Sequence, residues 1–434
     1  MLRKPSARRA LASYIDSQER VDLKILIVLL MLNVFGIIMI YSASSYSCSL
    51  SPKYSYDGMY FTKKQIENVI VGFFLMFITW HFNYNNLNVM RFSEMPLLKH
   101  IKSLRNKKIS LSWFIYFLSI IMTMLLFTPL AVSAKGAVRW IKIGPVSLQV
   151  AEVTKILIIL WIGTRISKYI NTREKIRTLF FIWIPAVISV AFLYKVSSNL
   201  SSAIIIAGII FGMTFIMTPF LKTHISVLAL GSAGVAVFVN YLKKLIQLNV
   251  NPDDYNFRIR RFLGWLAPQK YADDESYQSL QALYAVASGG FKGKGIGNSV
   301  QKLSKIPEAQ NDMIFSIICE ELGILGAGIL LMMFVFLIFQ LFKIASRAET
   351  VFGRAIVSGI AIHIALQVIV NVFVVLMIIP NTGVSLPFIS YGGSAVAFTM
   401  MEMGIALSVD REHFRAKIKR KAKKIIEEKE IPNY

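Results

Sequence analysis

Long, continuously apolar segments dominate this chain and limit what it can fold into. Ten of them reach about 18 or more residues, the length that an α-helix needs to cross a bilayer. They lie roughly at 22–45, 65–84, 110–132, 151–168, 178–196, 202–220, 224–241, 313–343, 352–380 and 385–409. Because apolar residues do not alternate with polar ones, helices are predicted rather than barrel strands. The sequence therefore predicts an all-α integral membrane protein with ten transmembrane helices.

The net charge is strongly positive and unevenly distributed along the chain. Hydrophobic residues make up 55% of the sequence, yet the formal net charge is +24. Basic tracts lie at 3–9, 91–108, 165–177 and 411–424, between alternate apolar segments. By the positive-inside rule these tracts face the cytoplasm, which predicts that both termini are cytoplasmic. Contact with anionic membrane lipid accounts for the basic tail, so nucleic acid is not an expected partner.

This topology divides the chain into three parts. Basic cytoplasmic tails at 1–21 and 411–434 flank a membrane domain at 22–410. A long extracytoplasmic loop, 242–311, joins the seventh and eighth spans. Its glycine- and lysine-rich stretch 289–302 matches neither the sequence nor the context of a nucleotide-binding P-loop. The glycines are predicted instead to permit tight turns that press the loop against the membrane face.

Four carboxylates stand at the start of the eighth span and inside it, in the stretch 304–326. Glu308 and Asp312 share a face if the helix starts this early, and the helix dipole alone would favour acids there. Asp312, however, stands where water gives way to lipid, and partial desolvation there makes a carboxylate more basic. Glu320 lies about 12 Å deeper, where ionisable groups usually mark functional sites. We interpret Glu320 and Glu321 as links to other helices rather than as catalytic groups.

Cationic side chains and an interrupted helix occur elsewhere in the membrane domain. Arg139 lies in a short segment suited to the membrane interface, just before the fourth span. Glu152 and Lys155 share one face of that span, either as a pair that only neutralises itself or as part of a charged site. Prolines, glycines and hydroxyls interrupt the stretch 371–396, which indicates either packing or a polar cavity. Together with the charges, the cavity is favoured.

Three motifs resemble the SEDS family (shape, elongation, division and sporulation). RWIKIGPVSLQVAEVTK (139–155) is similar to its R-W-I-x-x-G-x-x-x-x-Q-P-S-E-x-x-K segment. GNSVQKLSKIPEAQNDMIFSIICEELG (297–323) resembles its G-N-S-x-Q-K…L-P-E-A-x-x-D-F-I-F…E-E-L-G segment. PNTGVSLPFISYGGS (380–394) resembles its P-x-T-G-x-x-L-P-F-I-S-Y-G-G-S signature, and the likeness extends over about residues 20–410.

The resemblance implies a peptidoglycan glycosyltransferase that polymerises lipid II outside the cytoplasmic membrane of a bacterium. A class B penicillin-binding protein and other division proteins are the implied partners, because the amino-acid sequence of the long loop and Asn371 favour the cell-division branch of the family. The family's essential aspartate falls on Asp312, which is the expected catalytic residue. The expected substrate-binding residues are Arg139, Glu152, Lys155, Lys302, Glu308, Asn371, Ser390 and Gly392.

The chemistry of lipid II, an undecaprenyl-diphosphate-linked disaccharide peptide, suits these residues. Its diphosphate is already a leaving group, so one general base and nearby positive charge suffice. A divalent cation, Mg²⁺ or Mn²⁺, could share the charge, whereas the cysteines and histidines lack the spacing of a metal site. Two alternatives stay open: a lipid II flippase, and a division scaffold without catalysis.

The chain departs from the family pattern at two places. The Q-P-S-E motif reads Gln149-Val150-Ala151-Glu152, which keeps the acid but loses the proline and serine. The family's Q-P-D-L-G-T motif reads SSNLSS, so Asn199 stands where the family has an acid. An acidic or cation-binding role at position 199 is therefore in doubt.

Overall fold

The computed structural model describes residues 22–91, 108–110, 112–134, 137–144, 146–169, 176–248, 255, 257–272, 276–303 and 306–430. The predicted N-terminal tail 1–21 and most of the basic tract 91–108 lie outside these residues. The predicted C-terminal tail 411–434 continues the last helix as far as Glu430.

Twelve α-helices make up most of the described chain. They are α1 Leu23–Ser49, α2 Tyr60–His81, α3 Ser112–Met124, α4 Val150–Lys168, α5 Ile176–Ser197, α6 Leu200–Met217, α7 Leu221–Gln247, α8 Phe257–Leu266, α9 Tyr277–Gly289, α10 Ile314–Arg347, α11 Val351–Val375 and α12 Gly393–Glu430. Short 3₁₀ helices occur at Pro52–Tyr54, Tyr84–Leu87 and Leu125–Phe127.

Every predicted span coincides with a helix. Six helices are long and apolar enough to cross a membrane: α1, α5, α6, α7, α10 and α11. The other four predicted spans correspond to α2, α3, α4 and α12, so the count of ten stays a prediction. The chain is a multi-pass membrane protein with a predominantly helical fold.

The packing centre lies on two of these helices. From Val150 to Ile166 nearly every residue of α4 is buried, although the helix carries charged side chains. Helix α11 is buried along most of its length, and α10 packs beside it. By contrast, α7 contacts the rest of the described protein mainly through α6 and α8, and its apolar side chains face outward.

A small antiparallel sheet, which the sequence did not predict, connects α3 with α4. Its strands are β3 Ala131–Ala134, β4 Ala137–Ile143 and β5 Val146–Gln149, in the order β3-β4-β5. The α-helix ends at Met124 and is followed by the 3₁₀ helix Leu125–Phe127, after which Pro129 disfavours helical backbone at Thr128. Since side chains alternate along a strand, Arg139 shares a face with buried Ile141 and is directed toward the protein. The remaining strands, β1 Val89–Arg91 and β2 Lys108–Ser110, form a separate pair.

Two predicted spans are interrupted. The tenth was expected at 385–409, but residues 376–392 are irregular and α12 begins only at Gly393. Pro387, which has no N–H to donate, lies in this stretch. The eighth span, α10, breaks at Gly323, which has φ 65° and ψ −169°. Irregular backbone at 371–396 was predicted from the prolines and glycines, whereas the break at Gly323 was not.

Candidate functional site

Asp312 ends a series of turns that precedes α10. The helix does not start early enough for Glu308 and Asp312 to share a helical face, because it begins only at Ile314. Glu308 instead has a left-handed backbone, with φ 50°, and is exposed. Its carboxylate accepts a hydrogen bond from Asn311 Nδ2 at 2.9 Å. Asp312 is half-buried, so its carboxylate lies neither in open solvent nor in the packed interior.

Asn371 on α11 fixes the position of this turn. Its amide nitrogen donates to the carbonyl of Asp312 and to the carbonyl of Val384, both at 2.7 Å. The side chain is fully buried, so the two bonds form away from competing water. We call the turns at 306–313 the aspartate turn and the irregular residues 376–392 the connecting segment. One amide therefore ties the aspartate turn to the connecting segment.

The connecting segment passes beside the Asp312 side chain. Gly383 has φ 70°, and a Cβ placed on it would lie 3.6 Å from Asp312 Oδ2. The backbone of Gly383 therefore passes close to the carboxylate. Further along, the N–H of Tyr391 donates to the carbonyl of Gln310 at 2.9 Å. The connecting segment is thus linked to the aspartate turn twice, directly at Gln310 and through Asn371 at Asp312.

Ser390 and Gly392 shape the connecting segment. Ser390 Oγ accepts from the N–H of Leu386 at 2.8 Å, which closes a turn. Gln65 on α2 donates to the Ser390 carbonyl at 3.4 Å and accepts from the Gly392 N–H at 3.3 Å. Gln65 therefore holds the backbone of both expected site residues in place. Sequence reasoning did not single out Gln65.

Helices of the long loop pack over the connecting segment. Trp265 Nε1 donates to the carbonyl of Met377 at 2.8 Å, and Arg261 donates to that of Asn381 at 3.3 Å. Gln278 accepts from Asn381 Nδ2 at 3.1 Å and donates to the Pro307 carbonyl at 3.0 Å. Gln278 therefore joins the connecting segment to the aspartate turn. Arg261 and Gln278 were missed, since polar residues in a long loop give no signal of what they bind.

Arg139 reaches the same neighbourhood from the small sheet. Its guanidinium donates to the carbonyls of Ser197 and Ser198, each at 3.4 Å. Just beyond, the Ser201 hydroxyl donates to the carbonyl of Thr382, next to Gly383. Asn199 between them caps α6, because its side chain accepts from the Ser202 N–H at 3.1 Å. An amide performs that task as well as an acid does.

Glu152 and Lys155 form a buried ion pair on α4. Lys155 Nζ lies 2.9 Å from Glu152 Oε2, and the two side chains are 1% and 7% exposed. The N–H of Gln149, just before the helix, donates to Ser394 Oγ at 3.4 Å. The amino end of α4 therefore lies against the amino end of α12, immediately after the connecting segment.

Lys302 lies elsewhere, in what we call the glutamate cluster. This cluster consists of Glu320 and Glu321 on α10 with the loop residues that bind them. Lys302 Nζ is 2.8 Å from Glu321 and 3.1 Å from Ser42 Oγ on α1. Ser42 also donates to Glu321 at 2.7 Å, so this acid links α10 to α1 and to the loop.

Glu320 forms the second half of the cluster. It is fully buried, accepts from Lys294 Nζ at 2.7 Å, and accepts from the N–H of Val300 at 3.1 Å. Ser288 on α9 donates to it at 3.2 Å. The two intramembrane acids therefore link α10 to other helices, as interpreted from the sequence, and fasten the loop motif that ends in Lys302.

Glycines permit the loop to lie on α10 at its break. A Cβ on Gly293 would stand 2.2 Å from the Glu321 carbonyl, and one on Gly323 would stand 2.4 Å from the Gly293 nitrogen. The N–H groups of Lys294 and Gly295 donate to the carbonyls that the break releases, at 3.0 and 2.8 Å. The predicted tight turns against the membrane domain are confirmed by these contacts.

A second buried pair joins α11 to α12. His363 Nδ1 lies 2.8 Å from Glu402 Oε2, and both side chains are at most 2% exposed. The structure shows no partner for His363 Nε2 among the residues it describes. This pair was missed because its members are 39 residues apart and lie inside apolar runs.

No metal cluster is formed by the part of the chain that the structure describes. No three His, Cys, Asp or Glu side chains there converge well enough to hold an ion. Mg²⁺ commonly takes one or two carboxylates and completes its shell with substrate phosphates and water. A divalent cation near Asp312 would therefore need the substrate for most of its ligands.

Sequence comparisons agree on one family. The family model for FtsW, RodA and SpoVE, described as "Cell cycle protein", matches residues 22–415. The "Probable peptidoglycan glycosyltransferase FtsW" of Trichlorobacter lovleyi is 32% identical over 89% of this chain and 92% of its own length. "Stage V sporulation protein E" of Bacillus subtilis is 29% identical over 90% and 97%.

Solved structures share the fold. A chain from a structure described as "Structural coordination of polymerization and crosslinking by a peptidoglycan synthase complex" gives a TM-score of 0.66 at 22% identity. It covers 91% of this chain and 98% of its own length. The rod shape determining protein RodA of Thermus thermophilus gives 0.59 at 20% identity, with the same coverage. The overall fold is thus shared with these two solved structures.

Proposed function

The chain belongs to the FtsW, RodA and SpoVE family of cell cycle proteins, and we propose that it is a peptidoglycan glycosyltransferase. Its substrate is lipid II, which it polymerises into glycan strands at the outer face of the bacterial cytoplasmic membrane during cell division. The observation that supports this most is the half-buried Asp312 carboxylate, which lies close to the backbone of Gly383 at the end of a long loop. A sugar tethered by its own lipid is held at that depth.

Asp312 acts as the general base in this proposal. It takes the proton from the 4-hydroxyl of the acceptor sugar, and the hydroxyl oxygen attacks C1 of the donor. The C1–oxygen bond to the diphosphate breaks, C1 is inverted, and the diphosphate leaves as an anion. Ordinary glycosides need a second carboxylate as acid, but a diphosphate leaves without one. General-base assistance of this kind contributes about 10²–10⁴ in rate.

Positive charge for the departing diphosphate comes from Arg139 and Lys155. Arg139 is half-buried and reaches the backbone beside the connecting segment, so a bound diphosphate could exchange for those carbonyls. Lys155 has three N–H donors, and Glu152 accepts one and orients the ammonium. A divalent cation bound mainly by the diphosphate could add to this charge.

The remaining site residues position these groups. Asn371, Ser390 and Gly392 hold the aspartate turn and the connecting segment, and Glu308 sets the charge at the entrance. Lys302 already binds Glu321 and Ser42, which favours a role in placing the loop over a direct contact with the diphosphate.

The proposal also includes an orientation and a partner. Both termini are cytoplasmic, ten helices span the membrane, and the loop 242–311 lies outside, where lipid II is polymerised. A class B penicillin-binding protein would crosslink the new strands, which fits the words "polymerization and crosslinking" in the description of a structural neighbour.

A reconstituted assay tests the catalytic assignment. The purified chain is placed in liposomes with lipid II and the penicillin-binding partner, and glycan polymer is measured. We expect Asp312→Asn to lose at least about 10² of the rate, because the amide cannot accept the proton. The control is Asp57→Asn, an acid in another connection whose pKa is lowered by the hydrogen bond from Lys63.

The outcomes separate the three candidate functions. Polymer from wild type and Asp57→Asn, with none from Asp312→Asn, supports the polymerase. Labelled lipid II that crosses the bilayer without forming polymer would identify a flippase. Undiminished polymer from Asp312→Asn would refute the base assignment, and cell growth supported by that variant would favour a scaffold.

A further inference from the structure

A cavity of about 550 Å³ opens between the outer end of α1 and the loop residues 296–303. Its size lies within the range of small-ligand sites. It is separate from the aspartate turn, none of whose residues lines it. The lining residues are Ile38, Tyr41, Ser42, Ser45, Tyr46, Ser49, Gly58, Ile296, Gly297, Lys302 and Leu303.

The α1 wall of this cavity is rich in hydroxyl groups. Five of its lining residues carry one, two as tyrosines and three as serines. Further down the same helix, the outward residues Ile27, Leu30 and Val34 are aliphatic, as expected beside lipid tails. The change from aliphatic to hydroxyl-bearing side chains indicates that the cavity receives a polar ligand rather than an acyl chain.

The tyrosine rings supply flat apolar surface next to these hydroxyls. Tyr41 and Tyr46 are 48% and 42% exposed, so their faces are available to a ligand. The backbone of Gly297 is open to a ligand, since a Cβ placed on it would meet nothing within 4 Å. Sugars combine hydroxyls along the ring edge with an apolar C–H face, and this lining matches both features.

The floor of the cavity is the glutamate cluster. Lys302 and Ser42 are 7% and 4% exposed, and both bind Glu321. Because the lysine is already paired with an acid, the floor offers polar contacts without a net positive charge. A neutral ligand suits this floor better than a phosphate does.

The cavity lies within reach of the proposed reaction. Glu321 is seven residues after Ile314, the first residue of α10, which corresponds to about 10 Å of helix. Asp312 lies two residues before Ile314. A few sugar units span about this distance, so a linear oligosaccharide with one end at the aspartate turn is long enough to reach the mouth of the cavity.

We propose that this cavity is a saccharide-binding site that holds the glycan strand during polymerisation. The proposal rests on the function proposed above and adds the place where the polymer is retained. Its ligand is the sugar backbone of the strand, a chain of N-acetylated hexosamines whose rings carry no charge, bound by the hydroxyls of α1 and stacked on Tyr41 or Tyr46.

Strand length measures retention. The variant Ser45→Leu with Ser49→Leu removes two hydroxyls and fills part of the cavity. We expect it to make strands several times shorter than wild type, while the rate of the first linkage stays unchanged. Ser47→Leu is the matched control, because Ser47 lies on the same helix outside the lining. Tyr46→Ala, at an exposed position, should shorten the strands as well.

Direct binding gives a second readout that does not require catalysis. Chitotetraose, a soluble N-acetylglucosamine tetramer, is titrated into the full chain in nanodiscs. We expect the double variant to bind it about tenfold more weakly, since two hydroxyls that would hydrogen-bond the ligand are lost. Ser47→Leu should bind like wild type.

The outcomes of these experiments test the saccharide site and the proposed glycosyltransferase function separately. Equal strand lengths and equal chitotetraose affinity in the double variant and wild type would overturn the saccharide site. Losses of the same size in Ser47→Leu would overturn it too. If wild type made no polymer, the proposed function would fail, and the binding titration would still judge the cavity.

Discussion

At the residue scale, several buried charged side chains inside the membrane domain occur as pairs. Lys155 with Glu152 was visible in the sequence, because residues three apart share a helical face. The partners of Glu320 and Glu321 could not be read in the same way, since they lie 19 to 26 residues away in a loop. Sequence reasoning found the buried acids themselves from the energetic cost of charge in an apolar segment.

The His363–Glu402 pair allows a prediction on stability. Substituting either residue alone with leucine leaves the other buried without its partner, which should cost about 3–5 kcal/mol of unfolding free energy. The double variant, His363→Leu with Glu402→Leu, should recover most of that loss. Denaturant titration of the purified proteins in detergent measures the unfolding free energy of the two single variants and the double variant. Additive losses in the double variant would show that the two side chains are not coupled.

At the element scale, helices were predictable and their interruptions only partly so. Ten apolar runs gave ten helices, because span length and apolar content follow directly from the bilayer. The connecting segment was predicted to be irregular from its prolines and glycines. The sheet β3–β5 was missed, because its strands are short and pair only with one another. The break at Gly323 was missed because a single glycine inside an apolar helix is usually tolerated.

The break at Gly323 makes a prediction with an internal control. Gly323→Ala should lower the unfolding free energy by at least about 3 kcal/mol, since φ is 65° and the new Cβ would meet the Gly293 nitrogen at 2.4 Å. Gly328→Ala on the same helix should be neutral or stabilising by up to about 1 kcal/mol, because a Cβ there meets nothing within 4 Å. Thermal unfolding in detergent compares the two. Equal stabilities would contradict the contact between the loop and the break.

At the scale of the whole molecule, the candidate site is assembled from distant parts of the chain. The aspartate turn, α11, the connecting segment and the loop helices meet around Asp312, and the small sheet brings Arg139 beside them. Family resemblance identified most of these residues, but their contacts depend on tertiary packing. Gln65, Gln278 and Arg261 illustrate the limit, since each binds backbone that is distant in sequence.

Orientation in the membrane is the property of the whole molecule on which the proposed function depends most directly. Helix α10 breaks at Gly323, and the 24 residues from Ile324 to Arg347 form a helix of about 36 Å, enough to cross the hydrocarbon core. Its two ends are therefore expected on opposite sides of the membrane. The aspartate turn lies at the amino end, so polymerisation outside the cell requires that end to be external.

Cysteine labelling in intact cells tests this orientation. Lys292→Cys places an exposed thiol in the loop, and Ser346→Cys places one near the far end of α10. A membrane-impermeant maleimide should label Lys292→Cys in intact cells and Ser346→Cys only after permeabilisation. The native Cys48 and Cys319 are buried and supply the background. The reverse pattern would place Asp312 on the cytoplasmic side, where a base for external glycan synthesis could not act.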